Sequence, residues 1–249
     1  MDKPSFRIFI QARMSSSRLP GKVLKNLKEH PVLFWVIQRT KKLGLATTVL
    51  TSLDTSDNPI AEWCEKNEVD CFRGSLQNVL SRFVNAAETR PADFYIRLTA
   101  DCPLIFPEPI AQGIECCTFL FEQNQSSKIY CSNSICRSYP RGLDFEIFSK
   151  NLLEKAGQMA KDNYELEHVT PFMYYSPNGA EKLIQVTHST DLSNYRITLD
   201  TKEDFKVISK IVSDKSELLN NFSDFANNLS HWDYIFNLNK HIPQKGIHE

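Results

Sequence analysis

The stretch Gln11-Ala12-Arg13-Met14-Ser15-Ser16-Ser17-Arg18-Leu19-Pro20-Gly21-Lys22 decides how this chain is read. The apolar run Phe6 to Ile10 precedes it and reads as a buried strand. Pro31 to Leu43 follows, with Leu33, Val36, Ile37 and Thr40 at helical spacing and Pro31 suited to a first turn. The stretch is therefore a loop at the carboxyl end of the first strand, where open α/β sheets bind ligands. Arg13, Arg18 and Lys22 meet no acid in the nearby sequence until Glu29. Three such cations call for an anion, and the densest small one is a polyphosphate. Gly21, lacking a side chain, lets backbone N–H groups approach oxygens closely. Neither Gly-x-x-x-x-Gly-Lys-Ser/Thr nor Gly-x-Gly-x-x-Gly is present. The plain alternative is a solvated basic loop; the position after a strand and the Pro-Gly-Lys ending weigh against it.

The 249 residues suit one large α/β domain or two small ones, and 41% hydrophobic residues suffice for a sizeable core. A net charge of −1 argues against a general nucleic-acid binder, so the positive charge is local. No apolar run approaches the ~20 residues that span a bilayer. Met1-Asp2-Lys3-Pro4 reads as the approach to a strand and not as a signal peptide. Seven cysteines without a repeated spacing, and Cys131-x4-Cys136 without a matching pair, read as reduced thiols in a cytoplasmic protein.

Strands are expected at Thr47–Ser52, Val69–Phe72, Asp93–Thr99, Lys128–Cys131, Leu143–Phe148, Lys182–His188 and Tyr195–Leu199. Helices are expected from Asn58, over Gln77–Glu88 and Pro107–Gln123, from a Ser149 cap to Met159, over Glu165–Tyr175 with a break at Pro171, and from a Thr201 cap to Val212. Phe222–Leu238 reads as a helical tail. The alternation predicts a mainly parallel sheet, interrupted between about residues 130 and 195. Asp101 and Asp200 each follow an expected strand directly. Strand-end carboxylates suit Mg²⁺, and the alternatives are a turn former before Pro103 and a helix cap. Cys102, beside Asp101, reads as a buried thiol. Arg141, Asp144, Glu146, Glu167 and His168 are further candidate binding residues, with Asp144 and Glu146 expected on one strand face, which suits hydroxyls or a cationic group; a solvated face and a structural histidine are the alternatives.

Arg13-x-x-Ser16-x-Arg18-Leu19-Pro20-Gly21-Lys22 resembles the nucleotide loop of sugar cytidylyltransferases, both the 3-deoxy-manno-octulosonate type and, more closely, the SpsF-like spore coat polysaccharide type. The resemblance continues in order at Arg73-Gly74-Ser75, Asp101-Cys102-Pro103-Leu104, Gly142-Leu143-Asp144, Glu167-His168-Val169-Thr170-Pro171 and Asp200-Thr201. It implies a Rossmann-like, three-layer α/β/α nucleotidyltransferase (GT-A-like) as one domain over 1–249. The 130–195 insertion would form a sugar pocket, with Arg141, Asp144, Glu146, Glu167 and His168 as its candidate residues, or a dimer arm. It implies transfer of CMP from CTP to a sugar, with Gln11, Ala12, Arg13, Ser15, Ser16, Arg18, Gly21, Lys22, Arg73 and Asp101 on the nucleotide. Arg13, Lys22, Asp101 and Asp200 would be catalytic, with Mg²⁺ on the two aspartates, and a homodimer is a further expectation. One departure is Gln77-Asn78, where SpsF-like sequences usually carry acids. A GT-A glycosyltransferase is the runner-up, but Asp144-Phe145-Glu146 is the nearest approach to its Asp-x-Asp motif. A non-catalytic nucleotide-binding protein would not need both aspartates and all three cations.

Overall fold

The computed structural model describes residues 3–124, 126–214 and 219–243. Strand β1 (Phe6–Gln11) lies inside the sheet, with a parallel neighbour on each side. Ile8 and Ile10 point to one face and Phe9 to the other, and all three are fully buried. A strand covered on both faces is what a continuous apolar run dictates. After β1 come a short hairpin, β2 (Asn26–Leu27) with β3 (His30–Pro31), and helix α1 (Val32–Thr40). Next are β4 (Ala46–Ser52), α2 (Asn58–Lys66), β5 (Cys71–Gly74), α3 (Val79–Thr89), β6 (Phe94–Thr99) and α4 (Pro107–Glu122). Strands β5, β4, β1 and β6 are parallel in that spatial order.

Strands β7 (Ile129–Ser132), β8 (Glu146–Ser149) and β9 (Lys182–Gln185) continue the same sheet beyond β6, giving the order β5-β4-β1-β6-β8-β7-β9. β8 is antiparallel to both neighbours, and β9 is parallel to β7. Helices α5 (Lys150–Met159), α6 (Asn163–His168) and α7 (Pro171–Tyr175) lie between β8 and β9. α8 (Lys202–Asp214), α9 (Phe222–Asn227) and α10 (Asp233–Phe236) close the chain. Side chains of α1, α2, α4, α8 and α9 share a core with Ile8, Ile10 and Ile96, while those of α3, α5 and α7 share one with Phe9, Leu50 and Tyr95. The result is the expected three-layer α/β/α arrangement around a mixed, mainly parallel sheet.

Four features differ from their sequence expectation. Tyr195–Leu199 is extended but joins no ladder: Arg141 N–H donates to Tyr195 O, Ile197 N–H to Arg141 O, and Leu199 N–H to Asp101 O at 2.8 Å. Pairing stops there because Gly142, at φ +102°, turns the chain away with its Cα packed on the backbone of Ile197 and Thr198. The strand expected from Leu143 begins only at Glu146, since Asp144 bonds Arg137 and the Gly142 N–H within that turn. The Glu165–Tyr175 helix breaks at Val169, whose φ is +73°, two residues before Pro171. Ser149 precedes α5 without capping it, its hydroxyl donating to Ser127 O instead.

An alanine Cβ at position 142 would lie 2.4 Å from Thr198 N and 2.5 Å from Ile197 C. Gly142→Ala should therefore cost about 3 kcal/mol or more, combining a forbidden φ with a backbone clash. Urea unfolding measures it, and a loss below about 1 kcal/mol would show that the 142–198 contact is not tight.

Candidate active site

The loop after β1 is shaped from within. Asp57, fully buried at the start of α2, accepts the Met14 N–H at 2.7 Å and the Ser52 hydroxyl at 2.5 Å. Gly21 donates its N–H to Met14 O at 3.0 Å and takes φ +68°, so its glycine serves the left-handed turn and its own N–H is already engaged. The N–H groups of Ser15, Ser17 and Arg18 have no partner among the described residues. They leave the loop with backbone donors that are not used within the fold.

The three cations are not unpaired. Lys22 Nζ lies 2.5 Å from an Asp101 oxygen and 2.8 Å from an Asp200 oxygen. The other Asp200 oxygen meets Arg18 at 3.1 Å and Arg196 at 2.9 Å. Arg13 reaches Glu167 of α6 at 3.7 Å, with both side chains about half exposed. Burial opposes the charge on Lys22, yet the two carboxylates outweigh it and raise its pKa above the ordinary lysine value. Burial likewise opposes ionisation of Asp101, and Lys22 more than offsets it, so the carboxyl sits below its usual range. Behind Asp200, Arg196 holds the fully buried Asp204, which also accepts the Asp200 and Thr201 N–H groups.

These residues line one cleft of about 340 Å³, with Gln11, Arg13, Ser16, Ser17, Arg18, Lys22, Thr99, Asp101, Glu167, His168 and Asp200 in its walls. A capping box, Asp162 with Glu165, starts α6 and so sets Glu167 and His168 over the loop. His168 is pushed toward the neutral form, first by burial and then by the charges of Arg97 and Arg13 against those of Glu167 and Glu146. An adjoining hollow shares Arg13 and Glu167 and adds Ser15, Leu76, Gln77, Asn78, Asn163 and Leu166. Cys102 is buried against Thr99 and Asp101, and burial followed by the Asp101 charge drives its pKa well up, which fits a structural thiol.

Other expected site residues lie outside this cleft. Ala12 is in the core, its N–H on Leu50 O. Arg73 bonds the carbonyls of Ser52 and Asp54 and the Asn58 side chain. Arg141 lines a second cavity with Ser193, Tyr195, Asp233 and Lys240. Asp144 is held by Arg137. Glu146 is buried and accepts the hydroxyls of Tyr130 and Thr170, each at 2.6 Å, while pairing with Arg97. Asp144 and Glu146 thus do not share a strand face, because the strand starts at the second of them. Sequence reading missed Asp57, Thr99, Arg97, Arg196 and Asp204; Asp204 looked like an ordinary first-turn acid and Asp57 like a loop residue before Asn58-Pro59.

Comparison with known proteins agrees with this geometry. A chain from Leptospira borgpetersenii described as a cytidylyltransferase superposes with a TM-score of 0.85 at 31% identity, covering 98% of this chain and 100% of that one. The spore coat polysaccharide biosynthesis protein SpsF of Bacillus subtilis is 32% identical over 219 residues, 84% of this chain and 86% of its own. A 3-deoxy-manno-octulosonate cytidylyltransferase of Tolumonas auensis is 35% identical over 113 residues, 43% of each chain. Residues 8–240 match the family described as cytidylyltransferase, and this chain belongs to the cytidylyltransferase family.

Proposed function

We propose that this protein activates an acidic sugar for surface-glycan synthesis by transferring CMP from CTP, with release of pyrophosphate and with Mg²⁺ held by Asp101 and Asp200. The observation that carries the reading is the Lys22 ammonium, at 2.5 and 2.8 Å from carboxylate oxygens of Asp101 and Asp200, which lie far apart in the sequence. Two carboxylate oxygens already converge on one cationic point, which is the donor set a small hard cation takes from protein. No group of three or more His, Cys, Asp or Glu among the described residues forms a closed metal cage. A pair of carboxylates suits Mg²⁺, which takes one or two carboxylates from protein and completes its shell with water and phosphate. When bound, Mg²⁺ supplies neutralisation of phosphate charge and favours ionisation of the attacking hydroxyl.

The protein's own groups do the rest. Arg13, Arg18 and Lys22, with the free N–H groups of Ser15, Ser17 and Arg18, hold the triphosphate and stabilise the charge that gathers on departing pyrophosphate. The Lys22 ammonium and a divalent cation compete for the same two carboxylates, so Lys22 is expected to turn to the phosphates when CTP enters. The adjoining hollow at Gln77 and Asn78 takes the nucleoside, and Glu167 and His168 face the sugar. The acidic sugar rests on the resemblance to 3-deoxy-manno-octulosonate enzymes, and the cytoplasm is the compartment that supplies CTP. Among the described residues no helix is long and apolar enough to cross a membrane.

Asp101→Asn and Asp200→Asn should each lower pyrophosphate release from CTP and sugar by roughly 100-fold or more. The double variant should be scarcely worse than either single one, because groups acting as a unit are not additive. Multiplying losses in the double variant would mean that the carboxylates act separately. Lys22→Ala should weaken CTP binding by about 1.5–3 kcal/mol while changing CMP binding much less, since the lost contact is to the outer phosphates. Isothermal titration with both nucleotides tests this, and equal weakening would put Lys22 elsewhere.

A further inference from the structure

Arg97, on β6, is absorbed by none of the roles above. Its Nε and Nη2 donate to Gln11 Oε1 at 3.2 and 3.0 Å, and its Nη1 pairs with Glu146. Glu146 faces Arg97 across the β6–β8 ladder, and its other oxygen takes the Tyr130 and Thr170 hydroxyls. A guanidinium has only donors. The Gln11 amide must therefore present its oxygen to Arg97, which turns its NH₂ away from the guanidinium. Gln11 lines the cleft, and its Nε2 has no partner among the described residues. An amide normally free to flip is here fixed as a donor.

Direction matters as well as polarity. Met14 is tied by Asp57 to the β4 side of the sheet, where the nucleoside hollow opens. Gln11 is tied by Arg97 and Glu146 to the β6–β8 side, where Thr170 follows His168 by two residues. The Gln11 side chain thus leaves the nucleotide loop for the opposite half of the cleft. We propose that Gln11 is a fixed hydrogen-bond donor for an acceptor-only group of the sugar, its carboxylate, and that Arg97 and Glu146 are the positioning residues that set its polarity. This assignment rests on the CTP:sugar reading above and replaces the expectation that the Gln11 side chain contacts the nucleotide.

Gln11→Met keeps the length and adds no charge, but removes the donor. Arg97→Lys keeps the charge but loses the paired donors that orient the amide. The experiment measures MgCTP affinity by calorimetry and pyrophosphate release with a panel of 3-deoxy-2-keto sugar acids, hexuronic acids and neutral hexoses. For the acid that the wild type turns over, Gln11→Met should raise the sugar KM about tenfold or more, with kcat changed less and CTP affinity within about twofold. Arg97→Lys should move the same KM in the same direction by a smaller factor. If Arg97→Lys does not fold, Gln11→Met alone decides the question. CTP affinity falling in step with the sugar KM would assign Gln11 to the nucleotide, and an unchanged sugar KM would remove it from the site; either overturns this inference and leaves the cytidylyltransfer reading standing. Turnover of neutral hexoses only would overturn the carboxylate assignment. Silence of the wild type with every sugar would overturn both readings together.

Discussion

One ammonium ties the site together. Lys22 sits between Asp101, at the end of β6, and Asp200, just before α8, while its own loop follows β1. Three distant pieces of chain are therefore registered on one another by a cation that is nearly buried. Such an arrangement is stable only because every charge in it is answered; removing one partner would leave a desolvated ion, which costs several times what the pair contributes. The chain of answers continues outward. Asp200 is shared with Arg18 and Arg196, Arg196 with Asp204, and Asp204 with Asn239 of the C-terminal tail. Asn239 also bonds the Arg196 carbonyl, so the tail acts as a clasp on the extended segment that carries Asp200.

The cleft and the fold were legible to different depths. The loop, both aspartates and the alternation of strands and helices were readable because each is written locally: an apolar run, a strand-end acid, a helical spacing. The pairing of charges was not. Lys22 looks unpartnered within its own loop, yet its acids lie 79 and 178 residues away. No local pattern reports that. Tyr195–Leu199 carries β-forming residues and was expected as a strand, but Gly142 limits its pairing to a single bridge. Arg73 and Glu146 have the residue types of binding groups, and only their hydrogen-bond partners reveal that each is already committed to holding protein.

Those commitments divide the cleft into two halves with different supports. On the β4–β5 side, Asp57 fixes the loop backbone and Arg73 locks the ends of β4 and β5. On the β6–β8 side, a ladder of side chains, Thr170 and Tyr130 to Glu146, Glu146 to Arg97, Arg97 to Gln11, reaches the cleft floor from beneath. The first half is held by backbone contacts and is indifferent to side-chain polarity. The second fixes the direction of an amide, which is the kind of constraint that selects a ligand by its hydrogen-bonding character.

Helix α6 shows how firmly the upper wall is held. Val169, at φ +73°, is a β-branched residue in a conformation that costs of order 1–3 kcal/mol, and it directly follows His168. Two features over-determine it. Its side chain is fully buried in the core that includes Phe9 and Tyr95, and the next residue, Thr170, is pinned by Glu146 at 2.6 Å. The strained turn lets the chain end α6 over the cleft and return at once to the core. By contrast, the link from Glu167 to Arg13 spans 3.7 Å between half-exposed side chains, a contact worth little. The wall thus has a fixed backbone and a soft surface ion pair, and a polyanion entering as proposed would meet both. Arg13 can leave Glu167 for a phosphate at small cost, while His168 keeps its height over the loop.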